Sequence, residues 1–190
     1  MSEYVAVTFV APSPNAQVLG SAMSSYVQNI RAEELQPVLK KYGLESIEPN
    51  QWYPMQLTLD LFRDIVKRGE NVNEALVAVG IKTVETVPLP PEINSVETAM
   101  GFIQRAVHSQ IVRNVPEGYG IPLQFLEKNH ILATNNIPYP SSLLYGYLWG
   151  LVNRFKAPDQ IFSIHPLTAE AGRPTVFSVK WGLPDEVEMN

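Results

Sequence analysis

The sequence predicts an α+β fold in one domain over residues 1–190: a helical N-terminal part, then a ββαββ antiparallel sheet unit. Three observations predict it. Apolar residues recur at steps of three and four up to about residue 113, the spacing of one helix face. After Pro116, Gly118 and Gly120 the period drops to two, the spacing of strands. Helices come first and strands later, which points away from a doubly wound parallel sheet.

Residues 4–10 are rich in β-branched and aromatic side chains and stop at Pro12 and Pro14, which predicts a short strand or an extended arm. Leu19, Ala22, Met23, Tyr26, Val27 and Ile30 form the stripe of a first helix, with Gly20, Ser21, Ser24 and Ser25 beside it. Residues 33–42 form a second helix, with Leu35, Val38 and Leu39 inward, Pro37 near its first turn and Gly43 as its stop. Pro54 opens a third helix carrying Leu57, Leu61, Phe62, Ile65 and Val66, and Gly69 ends it. Asn73 caps a fourth through Ala75, Leu76, Val79 and Val84. The proline-rich segment 87–91 is a stiff connector and not a domain boundary, because the helices before it need a second layer.

Ser95 caps a long helix to about residue 113, with Val96, Ala99, Met100, Ile103, Ala106, Val107 and Ile111 on its apolar side. Strands follow at 123–126 and 130–134 around the turn Glu127-Lys128-Asn129. Ser141 or Ser142 caps the last helix, with Leu144, Tyr145, Leu148, Leu151, Val152 and Phe155 inward. Strands at 161–167 and 175–182 close the chain around Gly172 and Pro174, and an acidic tail at 184–190 frays.

Composition excludes several classes of function. There is no cysteine, hence no disulfide, thiolate metal site or thiol nucleophile. Fourteen Lys and Arg against nineteen Asp and Glu give a net charge of −5, with no basic footprint for nucleic acid. No stretch approaches the ~20 apolar residues of a membrane span, and residues 1–14 lack the pattern of a secretory signal, so the expected location is the cytoplasm.

The side chains that could carry chemistry are few. No two of His108, His130 and His165 share metal-ligand spacing. No serine has a histidine placed by a recognisable motif, and Gly118-Tyr119-Gly120 lacks the third glycine and following helix of a phosphate loop. Asp60 and Asp64 share a helix face with Arg63, Lys67 and Arg68, which predicts an ion-paired, solvated surface. In the last helix Gly146 and Gly150 make a smooth strip among Tyr145, Tyr147 and Trp149. That strip admits a strand or a ligand ring at backbone distance, packing on the sheet being the simpler reading.

Trp52-Tyr53-Pro54 before a helix, the run Leu144-Tyr145-Gly146-Tyr147-Leu148-Trp149-Gly150-Leu151 and the closing strand Thr175-Val176-Phe177-Ser178-Val179-Lys180-Trp181 resemble a superfamily. It comprises the haem–nitric oxide/oxygen-binding domains, four-vinyl-reductase-type domains, TRAPP transport-complex subunits and a myxobacterial paralogous family of unknown function. The resemblance spans roughly residues 17–181. It implies that a haem-binding member would use His108 as axial ligand and a Tyr-x-Ser-x-Arg motif before the last helix. Here Tyr139-Pro140-Ser141-Ser142-Leu143 keeps tyrosine and serine but has leucine in place of the arginine that pairs haem propionates.

The expected function is therefore a non-enzymatic small-ligand-sensing or protein-interaction domain, a regulator in a bacterial cell in the sense the resemblance implies, with no cofactor, metal or catalytic residue. Its pocket would be lined by Ile103, Val107, Tyr139, Tyr145, Leu148 and Trp149. The alternative is a haem-binding sensor of NO or O2 with His108 on the iron. A homodimer through the small-residue side of the first helix, or another protein partner, is expected in either case.

Overall fold

The computed structural model describes residues 4–27, 32–67, 72–87, 89–167 and 173–187. The expectations resting on Ile30, Arg68, Gly69, Pro88, Gly172 and Glu188 lie outside these, as do the side chains of Leu35 and His108. The order is β1 (Gln17–Leu19), α1 (Gly20–Val27), α2 (Ala32–Tyr42), β2 (Trp52–Pro54), α3 (Met55–Val66) and α4 (Val72–Thr86). Then come α5 (Val96–Arg105), a π-helical turn (Ala106–Gln110), β3 (Val112–Arg113), β4 (Leu123–Glu127), β5 (His130–Thr134), α6 (Ser141–Phe155), β6 (Ile161–Leu167) and β7 (Val176–Gly182). The α+β class and the ββαββ unit are as expected: β4, β5, β7 and β6 form one antiparallel sheet in that order.

Several elements differ from the sequence reading. Residues 4–10 form no strand: residues 4–7 run as an irregular arm, and the chain then turns at Val7–Val10, with Val10 N–H donating to the Val7 carbonyl and Phe9 at φ +64°. A second sheet, ordered β2-β1-β3, was not foreseen, because strands of two or three residues leave no measurable alternation. It takes Leu19 from the first helix and Val112 and Arg113 from the long one. Ser95 does cap α5, with a reciprocal capping box to Thr98. That helix, however, loosens at Ala106 into the π turn. Pro37 lies inside α2, not in its first turn, and so removes one ladder bond. Pro140, not a serine side chain, starts α6, and α4 begins at Val72, one residue before its expected cap Asn73. Gly43 stops α2 as expected, with φ +65° that suits glycine. Asp60 pairs with Arg63 on its own helix, but Asp64 is met by Lys41 and by the Tyr42 hydroxyl (2.8 Å) from α2. Those donors hold the Asp64 carboxyl below its usual range.

Met23, Val38, Leu39, Leu44 and Leu61 fill a small core between α1, α2 and α3. The larger core joins Tyr26, Leu59, Phe62, Leu76 and Val79 from the helices to Met100, Ile131, Leu144, Leu148, Phe177 and Val179. At its centre α4 and α6 meet backbone to backbone. A Cβ on Gly146 would sit on the Val77 carbonyl, one on Gly80 would come 2.5 Å from the Leu143 carbonyl, and one on Gly150 would lie 3.0 Å from Val84 Cβ. The glycine strip therefore receives a helix, in place of the expected strand or ligand ring. Gly20 is likewise filled from within the chain, by the Glu48 carbonyl, leaving Ser21 exposed and Ser24 half-buried on that side of α1. Arg154 closes the α4–α6 contact by donating to the Val84 and Val87 carbonyls at the C-terminal end of α4.

Two Gly→Ala changes should act with opposite sign. Gly146→Ala inserts a methyl into backbone and should destabilise by about 2 kcal/mol even after the gain in helix propensity. Gly101→Ala, on α5 with its nearest neighbour the flexible Arg105 guanidinium at 3.4 Å, should stabilise by up to about 1 kcal/mol. Urea unfolding of both variants measures this. Because helices and sheet share one core, calorimetry of the wild type should show a single transition with matching calorimetric and van't Hoff enthalpies.

Candidate functional site

The link between strand β5 and helix α6 is Asn135-Asn136-Ile137-Pro138-Tyr139-Pro140. Two prolines keep it extended, so its polar groups must find partners outside regular ladders. Asn136 holds the N-terminal arm: its Oδ1 accepts from Ala6 N–H (2.8 Å), and its Nδ2 donates to the carbonyls of Tyr4 (3.0 Å) and Gly118 (2.7 Å). Phe9 N–H adds a bond to the Pro138 carbonyl. Asn135 faces the start of α6, donating to Ser141 Oγ (3.0 Å) and the Tyr139 carbonyl, while Ser141 Oγ donates to Thr175 Oγ1 (3.0 Å). One turn thus fastens the arm, the glycine loop, the last helix and the strand β7.

Beside this turn lies a buried aromatic cluster. Tyr26, Phe62 and Tyr139 meet at ring-centroid distances of 5.4, 5.7 and 5.9 Å, two of the contacts edge-on. The Tyr26 and Tyr147 hydroxyls are hydrogen-bonded to each other, with Thr83 joining at Tyr147. Tyr4 lies against Tyr119 at the arm. Burial pushes the phenols of Tyr26, Tyr119, Tyr139 and Tyr147 upward and that of Tyr4 up to about 12. These groups stay protonated at working pH, which leaves them able to donate a hydrogen bond and not to act as bases. The Tyr139 hydroxyl, the Tyr4 hydroxyl, Ser142 Oγ and Asn135 Oδ1 are buried without a hydrogen-bond partner. Such orphaned atoms mark a place where a water or a polar ligand group would be stabilised.

The residues expected to line a pocket divide into two groups. Tyr139 and Leu148 lie in the core, and Ile103 and Val107 pack against it from α5 and the π turn. Tyr145 and Trp149 turn to the sheet, against Phe177 (6.1 Å) and Phe162 (5.5 Å). Tyr147 points into the aromatic cluster, its ring 6.3 Å from that of Tyr26. His108 falls in the π turn. Tyr26, Phe62 and the Asn135-Asn136 pair were missed; the abundance of tyrosine, eight in all, was the one available signal. An open, mainly polar cavity of about 490 Å³ lies elsewhere, at the small sheet, among Ser13, Pro14, Asn15, Gln17, Pro54 and Asn114. Among the described residues no three His, Asp or Glu side chains gather to hold a metal, and no helix is long and apolar enough to cross a membrane.

No protein-family model and no curated protein matches this sequence. Solved structures do share its fold. An oxygen-binding H-NOX domain related to soluble guanylate cyclases, in its oxygen complex, aligns over 90% of this chain and 99% of its own, with TM-score 0.63 and 17% identity. An H-NOX family structure used to probe haem distortion aligns over 90% and 98%, with TM-score 0.64 and 16% identity. An H-NOX protein from S. oneidensis in the Fe(II)–NO ligation state aligns over 86% and 99%, with TM-score 0.64 and 14% identity. The chain has the H-NOX fold, and at these identities the likeness is one of structure. The comparison corrects the expectation of a domain without a cofactor, since the solved structures that share this fold include an H-NOX structure used to probe haem distortion and one in the Fe(II)–NO ligation state.

Removing the orphaned hydroxyl tests the cluster. Tyr139→Phe in the unliganded protein should be neutral or stabilising by about 1 kcal/mol, because it deletes an unsatisfied buried group while keeping the ring. Denaturant unfolding checks the sign, and a loss of more than about 1 kcal/mol would show that the hydroxyl has a protein partner.

Proposed function

We propose that this chain is a haem-binding sensory domain for a diatomic gas, non-catalytic in itself. The observation that supports it is a shared fold over 86–90% of the chain with H-NOX domains, including oxygen-bound and Fe(II)–NO forms. When bound, haem iron supplies an open coordination position for such a gas.

Two of the chain's own residues would suit the group, and one departs from what the resemblance implies. His108, the residue the resemblance designates as axial ligand, would give the iron its nitrogen from the π turn that ends α5. The Tyr139 hydroxyl, buried and unpartnered, would donate to an acid group of the macrocycle. Ser141 is already committed to Asn135 and Thr175. Leu143, buried in the core where the resemblance implies arginine, offers no charge pairing. Retention of the group would then rest on the histidine nitrogen, apolar contact and a single hydroxyl-to-acid hydrogen bond, without the bidentate ion pair that an arginine would give. The arm and the link at Asn135-Asn136 would exclude water from the site.

The absorption spectrum of protein purified from haem-supplied cells decides the matter. The expected result is a Soret band near one haem per chain that disappears in His108→Ala and weakens in Tyr139→Phe, with both variants folded by circular dichroism. Colourless protein, or a band indifferent to His108→Ala, would refute the proposal.

A further inference from the structure

The other face of the large sheet carries a second constellation. Along β7 the side chains of Phe177, Val179 and Trp181 enter the core, so Ser178 and Lys180 point outward. On β5 Ile131 and Ala133 are buried, and His130 and Leu132 share the outer face. The ladder sets His130 opposite Lys180 and Leu132 opposite Ser178. The side chains then complete a contact that sequence spacing did not reveal. His130 Nε2 stands 2.9 Å from Ser178 Oγ, and His130 Nδ1 stands 3.4 Å from Glu127 Oε1 across the hairpin turn. The imidazole is held between them at 14% exposure, while Glu127 is 72% exposed and Ser178 half-buried. In the tautomer with Nδ1 protonated toward the carboxylate, Nε2 offers its lone pair to the serine hydroxyl. Carboxylate, imidazole and hydroxyl thus stand in the order that activates a serine, open to solvent on one side.

We propose that Ser178 is a nucleophile toward activated acyl and phosphonyl compounds, with His130 as its general base and Glu127 orienting His130. With an ester, Ser178 Oγ bonds to the acyl carbon as its proton passes to His130 Nε2. The carbon–oxygen bond to the alcohol breaks, and Nε2 returns the proton to the leaving oxygen. Water, deprotonated by the same nitrogen, then releases the acid and restores the serine. The geometry also sets the substrate class. Strand β7 is central, paired with β5 on one side and β6 on the other, so the backbone amides around Ser178 belong to the ladders and make no oxyanion hole. Compounds with good leaving groups, such as aryl esters, are therefore turned over in preference to amides or alkyl esters. His165 lies opposite Ser178 on β6, yet the serine's bond is to His130. This site is separate from the aromatic cluster and does not depend on whether haem binds.

A fluorophosphonate reagent and mass spectrometry of tryptic peptides test the proposal. The phosphorus–fluorine bond breaks as the Ser178 oxygen–phosphorus bond forms. One adduct on the Ser178 peptide is expected, absent in Ser178→Ala. Its rate should fall at least about 100-fold in His130→Ala, the scale of general-base assistance, and less in Glu127→Gln because that carboxylate is screened by water. His165→Ala should label like the wild type. Thermal melts confirm that these outer-face variants fold. Labelling no faster than in Ser178→Ala, or an equal rate in His130→Ala, would overturn it.

Discussion

The contact on which most of this structure depends is the backbone approach of α4 and α6. Gly80 on one helix and Gly146 and Gly150 on the other leave no room for side chains between them. Close approach spreads dispersion contacts along the whole crossing. It also fixes the rotation of α6, and that rotation distributes its large residues. Leu144, Leu148 and Leu151 enter the core, Tyr147 meets Tyr26 on one side, and Tyr145 and Trp149 meet Phe177 and Phe162 on the other. A small shift of one helix would thus be felt at both the aromatic cluster and the sheet.

The Asn135-Asn136 link works beside that contact. It is short, extended by prolines and saturated with side-chain-to-backbone bonds, and through them it ties the N-terminal arm to elements over a hundred residues away. Four polar atoms nearby keep unmet hydrogen-bonding capacity in an otherwise apolar interior. Unsatisfied buried groups are costly, and each of these would be stabilised by a water or a polar group that reached it. In the sensory reading, a bound group would meet that capacity, and the α4–α6 contact and the arm are the elements placed to feel it.

The departure from the resemblance has a packing cause. Leucine at position 143 belongs to the core that α6 shares with α4, while Ser141, which the motif keeps, is drawn into a network with Asn135 and Thr175. Packing has claimed the position where the motif's charge would stand. The outer sheet face is free of that demand, and there polar residues gather: Glu127, His130, Ser178, Lys180 and Ser163.

Much of this protein is determined by its sequence alone. Periods of 3.6 and 2 place the long helices and the four strands of the large sheet, since amphipathic burial acts on windows of ten or more residues. Local chemistry sets the Ser95 cap, the Gly43 stop and the Pro54 start. Tyr139 and His108 were singled out by resemblance, and the orphaned state of Tyr139 needed coordinates. Tertiary structure alone decided the rest. Strands of two or three residues carry no period, so β1, β2 and β3 exist only because the chain brings them together. Gly146 and Gly150 announce a close approach but not its partner, which is Gly80's helix. The clusters of Tyr26, Phe62 and Tyr139, and of Glu127, His130 and Ser178, unite residues tens of positions apart. Side-chain periodicity reports which face of an element is buried, and only the register between elements decides what that face meets.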